Sequence, residues 1–201
     1  MRDPAPTQDP EYARRLLRLQ TAGWKRLLRV QAPYHWNLRR LEPGRCLEIG
    51  CGIGRNLQAL SPDSVGLDHN ELAIEIARER GFQAFLPDDF KGRTASDLRG
   101  FDSLLLSHLV EHMTTDANIA LIEEYLPWPK ETGKIIIIAP QERGFASDAT
   151  HVEYMDFDKI RRLVEAVGFE VVRAFSFPFP RFAGRIFIYN EFVTVSRPRP
   201  A

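Results

Sequence analysis

The stretch Arg45-Cys46-Leu47-Glu48-Ile49-Gly50-Cys51-Gly52-Ile53-Gly54-Arg55-Asn56 decides how the rest of the chain is read. Cys46, Leu47 and Ile49 form a short apolar run broken only by Glu48, and the run stops at a glycine cluster. Together these predict a buried strand that ends in a tight turn. Asn56 to Leu60 predict the first turn of a helix. Glycines at 50, 52 and 54 permit positive φ and remove the side chains from the bend, so another molecule can approach the backbone closely. The strand would deliver that molecule to a helix N-terminus, where N–H groups lack intrahelical partners. A dinucleotide fingerprint requires a further glycine at position 55, where this chain has Arg55. A phosphate P-loop requires a Gly-Lys-Ser/Thr ending, which is absent. What remains is a nucleoside-type ligand without a pyrophosphate, and Glu48 suits one that carries positive charge.

Downstream, Ser64-Val65-Gly66-Leu67-Asp68 predicts a second strand that ends in an acid. A carboxylate at a strand end, roughly twenty residues beyond the glycines, can accept both hydroxyls of a ribose. Asn70 is a good N-cap for a helix over Glu71 to Arg80, which Gly81 stops. Phe82 to Leu86 predicts a third strand, followed by the turn Pro87-Asp88-Asp89-Phe90. The nearly continuous apolar run Phe101 to Ser107 has the pattern of a central parallel strand covered on both faces. A helix follows from Asp116 to Tyr125, then a Gly133 turn and a fifth strand over Lys134 to Ala139. Asp156-Phe157-Asp158 opens a helix through Ala166, with acids in its first turn. Phe169 to Phe177 and Ile186 to Val195 predict the last two strands.

The glycine stretch resembles motif I of the class I S-adenosylmethionine-dependent methyltransferases, roughly acidic-x-G-x-G-x-G. The resemblance covers residues 45–195. It implies a Rossmann-like α/β domain over residues 43–197: seven strands, mostly parallel with the last one antiparallel, and helices on both faces. Residues 1–42 would form an N-terminal helical cap, with amphipathic helices over 11–31 and a further helix over 34–41. The resemblance also implies S-adenosylmethionine as cofactor. Glu48, Gly50, Cys51, Gly52 and Gly54 would surround its methionine part, with Asp68 at the ribose and His69 a further cofactor-binding residue. Asp88 or Asp89 would meet the adenine amino group, with Phe90 covering the ring, and Ser107 would stand at the cofactor-facing end of strand four.

Beyond Ser107 comes His108-Leu109-Val110-Glu111-His112. If helical, it places His108, Glu111 and His112 at i, i+3 and i+4 on one face, a spacing able to hold a metal ion. His151 follows strand five in a loop that should overhang the same sheet edge. The set is similar to that of small-RNA 3′-terminal 2′-O-methyltransferases, in which Glu-x-x-Glu-His and a later histidine bind a divalent ion; His108 stands where that family has its first glutamate. A Glu-His pair after strand four is also common in relatives of the ubiquinone-pathway O-methyltransferases, where no metal is implied. Three roles stay open for His108, Glu111, His112 and His151: metal ligands, a base or orienting group for a hydroxyl, or purely structural side chains. His35, beside Trp36, reads as packing.

The composition bounds these readings. A chain of 201 residues is one domain of ordinary size. Its formal net charge of zero asks for neither nucleic acid nor an anionic membrane. The arginine-rich start keeps an RNA contact open without favouring it. The only two cysteines, Cys46 and Cys51, suit buried apolar positions better than a disulfide. With no apolar run near the ~18 residues of a membrane span, a cytoplasmic protein is expected. The expected activity is O-methylation of a small-molecule or sugar hydroxyl. The alternatives are metal-dependent RNA 2′-O-methylation and a catalytically silent cofactor-binding partner protein.

Overall fold

A computed structural model describes residues 31–92 and 100–200. The lead and the amphipathic helices expected before residue 31 lie outside the described residues. The first described helix, α1 (Ala32–Arg40), starts two residues earlier than expected because Pro33 sits in its first turn, where a fixed φ suits the helix and the missing N–H costs nothing.

The sheet has seven strands: β1 (Cys46–Ile49), β2 (Val65–Leu67), β3 (Gln83–Phe85), β4 (Phe101–Ser107), β5 (Pro129–Pro140), β6 (Phe169–Phe177) and β7 (Glu191–Pro198), in the order β3-β2-β1-β4-β5-β7-β6. Strands β1 to β5 pair in parallel. Strand β7 runs antiparallel to both of its neighbours. The order reverses between β1 and β4, so their carboxyl ends open a crevice of the kind in which open α/β sheets bind ligands.

Alternation along the central strands divides the core between two faces. Leu47, Ile49, Leu104, Leu106, Ile135 and Ile137 pack on one side, against Ile122 and Tyr125 of α4 (Thr115–Tyr125) and Ile160, Leu163 and Val164 of α6 (Phe157–Ala166). Cys46, Leu105, Ile136 and Ile138 pack on the other, against Leu38 of α1 and Ile74 and Ala77 of α2 (Glu71–Glu79). Each fully buried Leu or Ile contributes on the order of 1.5–3 kcal/mol, and both cysteines are buried and free, as their apolar context predicts. Side chains of Asn70, Thr114 and Asp156 cap α2, α4 and α6 by accepting from backbone N–H groups three residues on.

Several boundaries depart from the expectations. The helix after the glycine bend is a single 3-10 turn, Leu57–Ala59; Pro62 follows and removes a donor that a longer helix would use. Pro87-Asp88-Asp89-Phe90 is not an open turn but the start of α3 (Pro87–Lys91), with Pro87 at its beginning. Strand β5 begins at Pro129, ahead of Lys134: Phe101 pairs with Pro129 and Ser103 with Lys134, so residues 130–133 bulge between the two contacts. A short α5 (Glu142–Phe145) follows β5.

The last strand starts at Glu191, five residues after the expected Ile186. Buried Asn190 holds the connector back by donating to the carbonyls of Phe179 and Pro180 and to Gln141 Oε1. Residues 181–185 therefore wind into a 3-10 turn, and Ile186, Ile188 and Tyr189 are left exposed.

Candidate active site

The bend after β1 is built as its glycines require. Gly50 has φ +76°, and a Cβ there would lie 3.0 Å from Leu109 Cδ1. Gly54 has φ +78°, and a Cβ there would meet the Phe82 ring at 2.6 Å. Both positions exclude a side chain, by backbone conformation and by space. The bend is tied to β2, whose Leu67 carbonyl accepts from the N–H groups of Gly50 and Cys51 at 2.8 and 2.9 Å. Cys51 is buried and packs into the core, so only its backbone can face a ligand.

Asp68, expected at the ribose, does stand at the tip of β2. Its Oδ2 accepts from Gly52 N at 2.8 Å and its Oδ1 from Asn70 N at 2.9 Å. One lone pair on each oxygen is thus used to hold the carboxylate against the bend, and the others can accept hydroxyls. His69 next to it is exposed. Glu48 is 1 % exposed; Oε1 accepts from Asn56 Nδ2 at 2.7 Å, while Oε2 is buried without a hydrogen-bond partner. Burial pushes its carboxyl up to about 8, against the Asn56 hydrogen bond, which favours the ionised form.

Asp88 and Asp89 are both exposed on α3, and Asp89 Oδ2 lies 3.8 Å from Arg78 Nη2. Phe90 requires a correction. It is fully buried, with its ring centroid 4.4 Å from that of Trp128 and 6.4 Å from that of Phe85. A ring so enclosed packs the core and cannot cover an adenine.

Ser107 closes β4, nearly buried, and the chain then bends sharply: His108 takes φ +54°. A non-glycine residue in the left-handed region carries strain that tends to concentrate at functional sites. The helical face expected over residues 108–112 does not form; only Val110–His112 make a 3-10 turn. That turn nevertheless brings Glu111 and His112 together with His151, while His108 stands between Glu111 and Glu191. Its Nε2 lies 2.8 Å from Glu191 Oε1 and its Nδ1 3.5 Å from Glu111 Oε1. The His108 side chain is 45 % exposed, so desolvation lowers its imidazole only weakly, and the contacts with Glu111 and Glu191 outweigh it and raise the group above its usual value. His108 is accordingly a cation at neutral pH, held between two carboxylates.

Glu111 is fully buried, and neither of its carboxylate oxygens accepts a hydrogen bond of normal geometry. His151 Nε2 lies 3.9 Å from Glu111 Oε1, and the His112 and His151 rings meet edge to face at 4.8 Å. Burial holds the His112 imidazole below its usual range, opposed by Glu111. Backbone contacts secure the arrangement: the Glu111 carbonyl accepts from Val152 N at 2.7 Å and Glu153 N at 3.1 Å, which ties the 3-10 turn to the loop that carries His151.

Sequence reasoning missed Glu191, Thr150 and Phe145. Thr150 and Phe145 orient the two histidines through their carbonyls, contacts that leave no trace in residue type. Glu191 did leave a signal, a lone acid at the head of the apolar run Phe192-Val193-Thr194-Val195. His35, expected to pack, is half-buried; Trp36 beside it is exposed under the Arg40 guanidinium, 4.4 Å from the ring centroid.

With this geometry in view, the chain can be set beside known proteins. Residues 16–174 match the family described as "Methyltransferase domain". The chain belongs to that family. Family and sheet order together bear out the class I methyltransferase resemblance and its fold. No curated protein sequence matches the chain. Among solved structures, DhpI in complex with SAH is similar at 16 % identity and TM-score 0.66, over 97 % of each chain. A SAM-dependent methyltransferase from Archaeoglobus fulgidus gives 21 % identity and TM-score 0.62, covering 82 % of this chain and 92 % of that one. The plantazolicin methyltransferase BpumL in complex with SAH gives 16 % and 0.60, over 96 % and 92 %. No helix among the described residues is long and apolar enough to cross a membrane.

Proposed function

We propose that this chain transfers the methyl group of S-adenosylmethionine to a hydroxyl oxygen of a small molecule or sugar. The residues present suit the cofactor. The glycine bend carries no side chain at Gly50, Gly52 or Gly54 and so leaves its backbone open to a ligand, and the unpartnered Glu48 Oε2 is an acceptor suited to an ammonium group. Glu48, Gly50, Gly52 and Gly54 would hold the methionine part, with the Cys51 backbone alongside. Asp68 would accept the ribose hydroxyls with His69 beside it. Asp88 is favoured over Asp89 for the adenine amino group, because Arg78 already faces Asp89. Three of the solved relatives, DhpI, BpumL and the protoporphyrin methyltransferase ChlM, carry SAH, which supports the assignment.

When bound, the cofactor supplies an electrophilic methyl group on a sulfonium. The chain's own contribution is positioning of an in-line displacement, in which the C–S bond breaks as the O–CH3 bond forms, together with removal of the hydroxyl proton. The observation that carries the hydroxyl reading is the cluster beyond β4: Glu111, buried and without hydrogen bonds, beside the imidazoles of His112 and His151. A group of acceptors draws a proton from a hydroxyl. His108, a cation fixed on Glu191, would shape the electrostatics of the cluster from its rim. Phe179, Phe182 and Tyr189 on the connector that leads into Glu191 are exposed, which suits an acceptor with an apolar face.

The test is formation of S-adenosylhomocysteine with a panel of hydroxyl compounds, sugars, RNA and protein. Turnover with phenols, alcohols or sugars is expected. Turnover confined to RNA would shift the reading to 2′-O-methylation. No turnover with any acceptor, alongside tight cofactor binding, would favour a silent binding protein.

A further inference from the structure

We infer that Glu111, His112 and His151 form a binding site for a divalent first-row transition-metal ion. Hydrogen-bond partners fix where the ring protons of both histidines sit. His112 Nδ1 lies 3.2 Å from the Thr150 carbonyl and 3.2 Å from Thr150 Oγ1, and that hydroxyl already donates to Asp148 Oδ1 at 2.8 Å. Both neighbours are therefore acceptors, and Nδ1 carries the hydrogen. His151 Nδ1 lies 2.7 Å from the Phe145 carbonyl, again an acceptor only, so it too is protonated. With the rings neutral, each Nε2 is a bare lone pair.

Those lone pairs meet a third acceptor. One ligand atom from each of Glu111, His112 and His151 lies within 4.8 Å of the other two, and no other group of this kind is found among the described residues. Both Glu111 oxygens are buried and without a hydrogen bond. The facing donor on Glu111 is His108 Nδ1, at 3.5 Å and outside hydrogen-bond geometry; buried acceptors so poorly matched are costly, and a cation at their centre satisfies all three. Donors about 2.0–2.2 Å from one ion stand roughly 3–4 Å apart; the 3.9 Å between His151 Nε2 and Glu111 Oε1 is already in that range, and the widest separation in the set, within 4.8 Å, closes by small side-chain rotations.

The surroundings are those of a ligand set. A ligating histidine characteristically donates its other N–H to a carbonyl or carboxylate, which fixes ring and tautomer; here both do. Two imidazoles and one carboxylate favour zinc, cobalt, nickel or iron over magnesium or calcium. Three protein ligands leave positions open, as in catalytic sites. His108 is no part of the set, because its ring is held by Glu191 at 2.8 Å. Resting on the proposed function, the ion's role follows: it would bind the acceptor oxygen as a Lewis acid and lower the pKa of its hydroxyl.

The experiment is a Co2+ titration of the untagged full-length chain after dialysis against chelator, read by visible d–d absorption, with Zn2+ as competitor. One Co2+ per chain, displaced by Zn2+, is expected. Binding should weaken at least about tenfold in Glu111→Gln and in His151→Gln, each shown folded by circular dichroism and by retained S-adenosylmethionine binding. Absence of stoichiometric Co2+ uptake by the wild-type chain would overturn the site, as would equal affinity in the folded variants. Hydroxyl methylation by a chain that takes up neither metal would refute the ion and leave the proposed function standing. Stoichiometric uptake without any S-adenosylhomocysteine would support the ion and count against that function.

Discussion

The glycine bend after β1 and the histidine–glutamate cluster after β4 stand at the carboxyl ends of adjacent strands, yet they are built in opposite ways. The bend works by lacking side chains: Gly50 and Gly54 adopt positive φ where a Cβ would collide with Leu109 or Phe82. The cluster works by side chains brought from a distance, Glu111 and His112 from one loop and His151 from another, with Glu191 of β7 beside them. A site made of backbone tolerates almost no substitution, whereas a site made of side chains can lose one member and keep its neighbours in place. The two should therefore fail differently, cofactor binding at the bend and chemistry at the cluster.

The strongest test of that separation is His151→Ala. Methyl transfer should fall about 100- to 10,000-fold, the range for loss of a group that activates the acceptor hydroxyl, while cofactor affinity stays within about threefold. A steady-state assay beside a calorimetric titration checks it. Gly50→Val should produce the converse, with cofactor affinity falling about 100-fold or more. Thermal stability should drop as well, because a β-branched residue at φ +76° costs on the order of 1–3 kcal/mol.

Glu48 sharpens the comparison through pH. Its carboxyl sits at about 8 in the folded chain, above its usual value near 4.5, so the fold favours the protonated form. That contribution to stability is fully present below the unfolded-state value and is lost as pH rises through the folded one. Glu48→Gln cannot ionise. In cofactor-free melts its Tm should gain on that of the wild type between about pH 5 and pH 8, while its cofactor affinity falls about tenfold for want of a charge-assisted hydrogen bond. A parallel pH dependence of the two melts would contradict the account.

The smallest effect is expected at α3. Asp88→Asn should weaken cofactor binding several-fold and Asp89→Asn hardly at all, since Arg78 already faces Asp89. Titration of the two variants in parallel decides it.

The same contrast explains what could be read from the chain alone. Turn chemistry is local, so Gly50, Gly52, Gly54 and Asp68 announced the bend, and the alternation of strands with helices announced the sheet. The cap at Asn70 was legible for the same reason, and the acids of Asp156-Phe157-Asp158 marked the helix start that Asp156 caps. Phe90 was misplaced because an aromatic residue has the same signature whether it faces a ligand or Trp128. The face expected from His108, Glu111 and His112 assumed a helix. The chain instead turns left-handed at His108, and the members that meet Glu111 are fixed by carbonyls of Phe145 and Thr150, which no residue pattern records. The late start of β7 likewise depends on buried Asn190 gripping the connector across the loop.

The most direct measurement is calorimetric titration of S-adenosylmethionine into the wild-type chain, Gly50→Val and His151→Ala, each verified as folded. The account predicts saturable heat with matching affinity for the wild type and His151→Ala, and a loss of about 100-fold or more for Gly50→Val. Absence of heat in the folded wild type, or an equal loss in both variants, would contradict it.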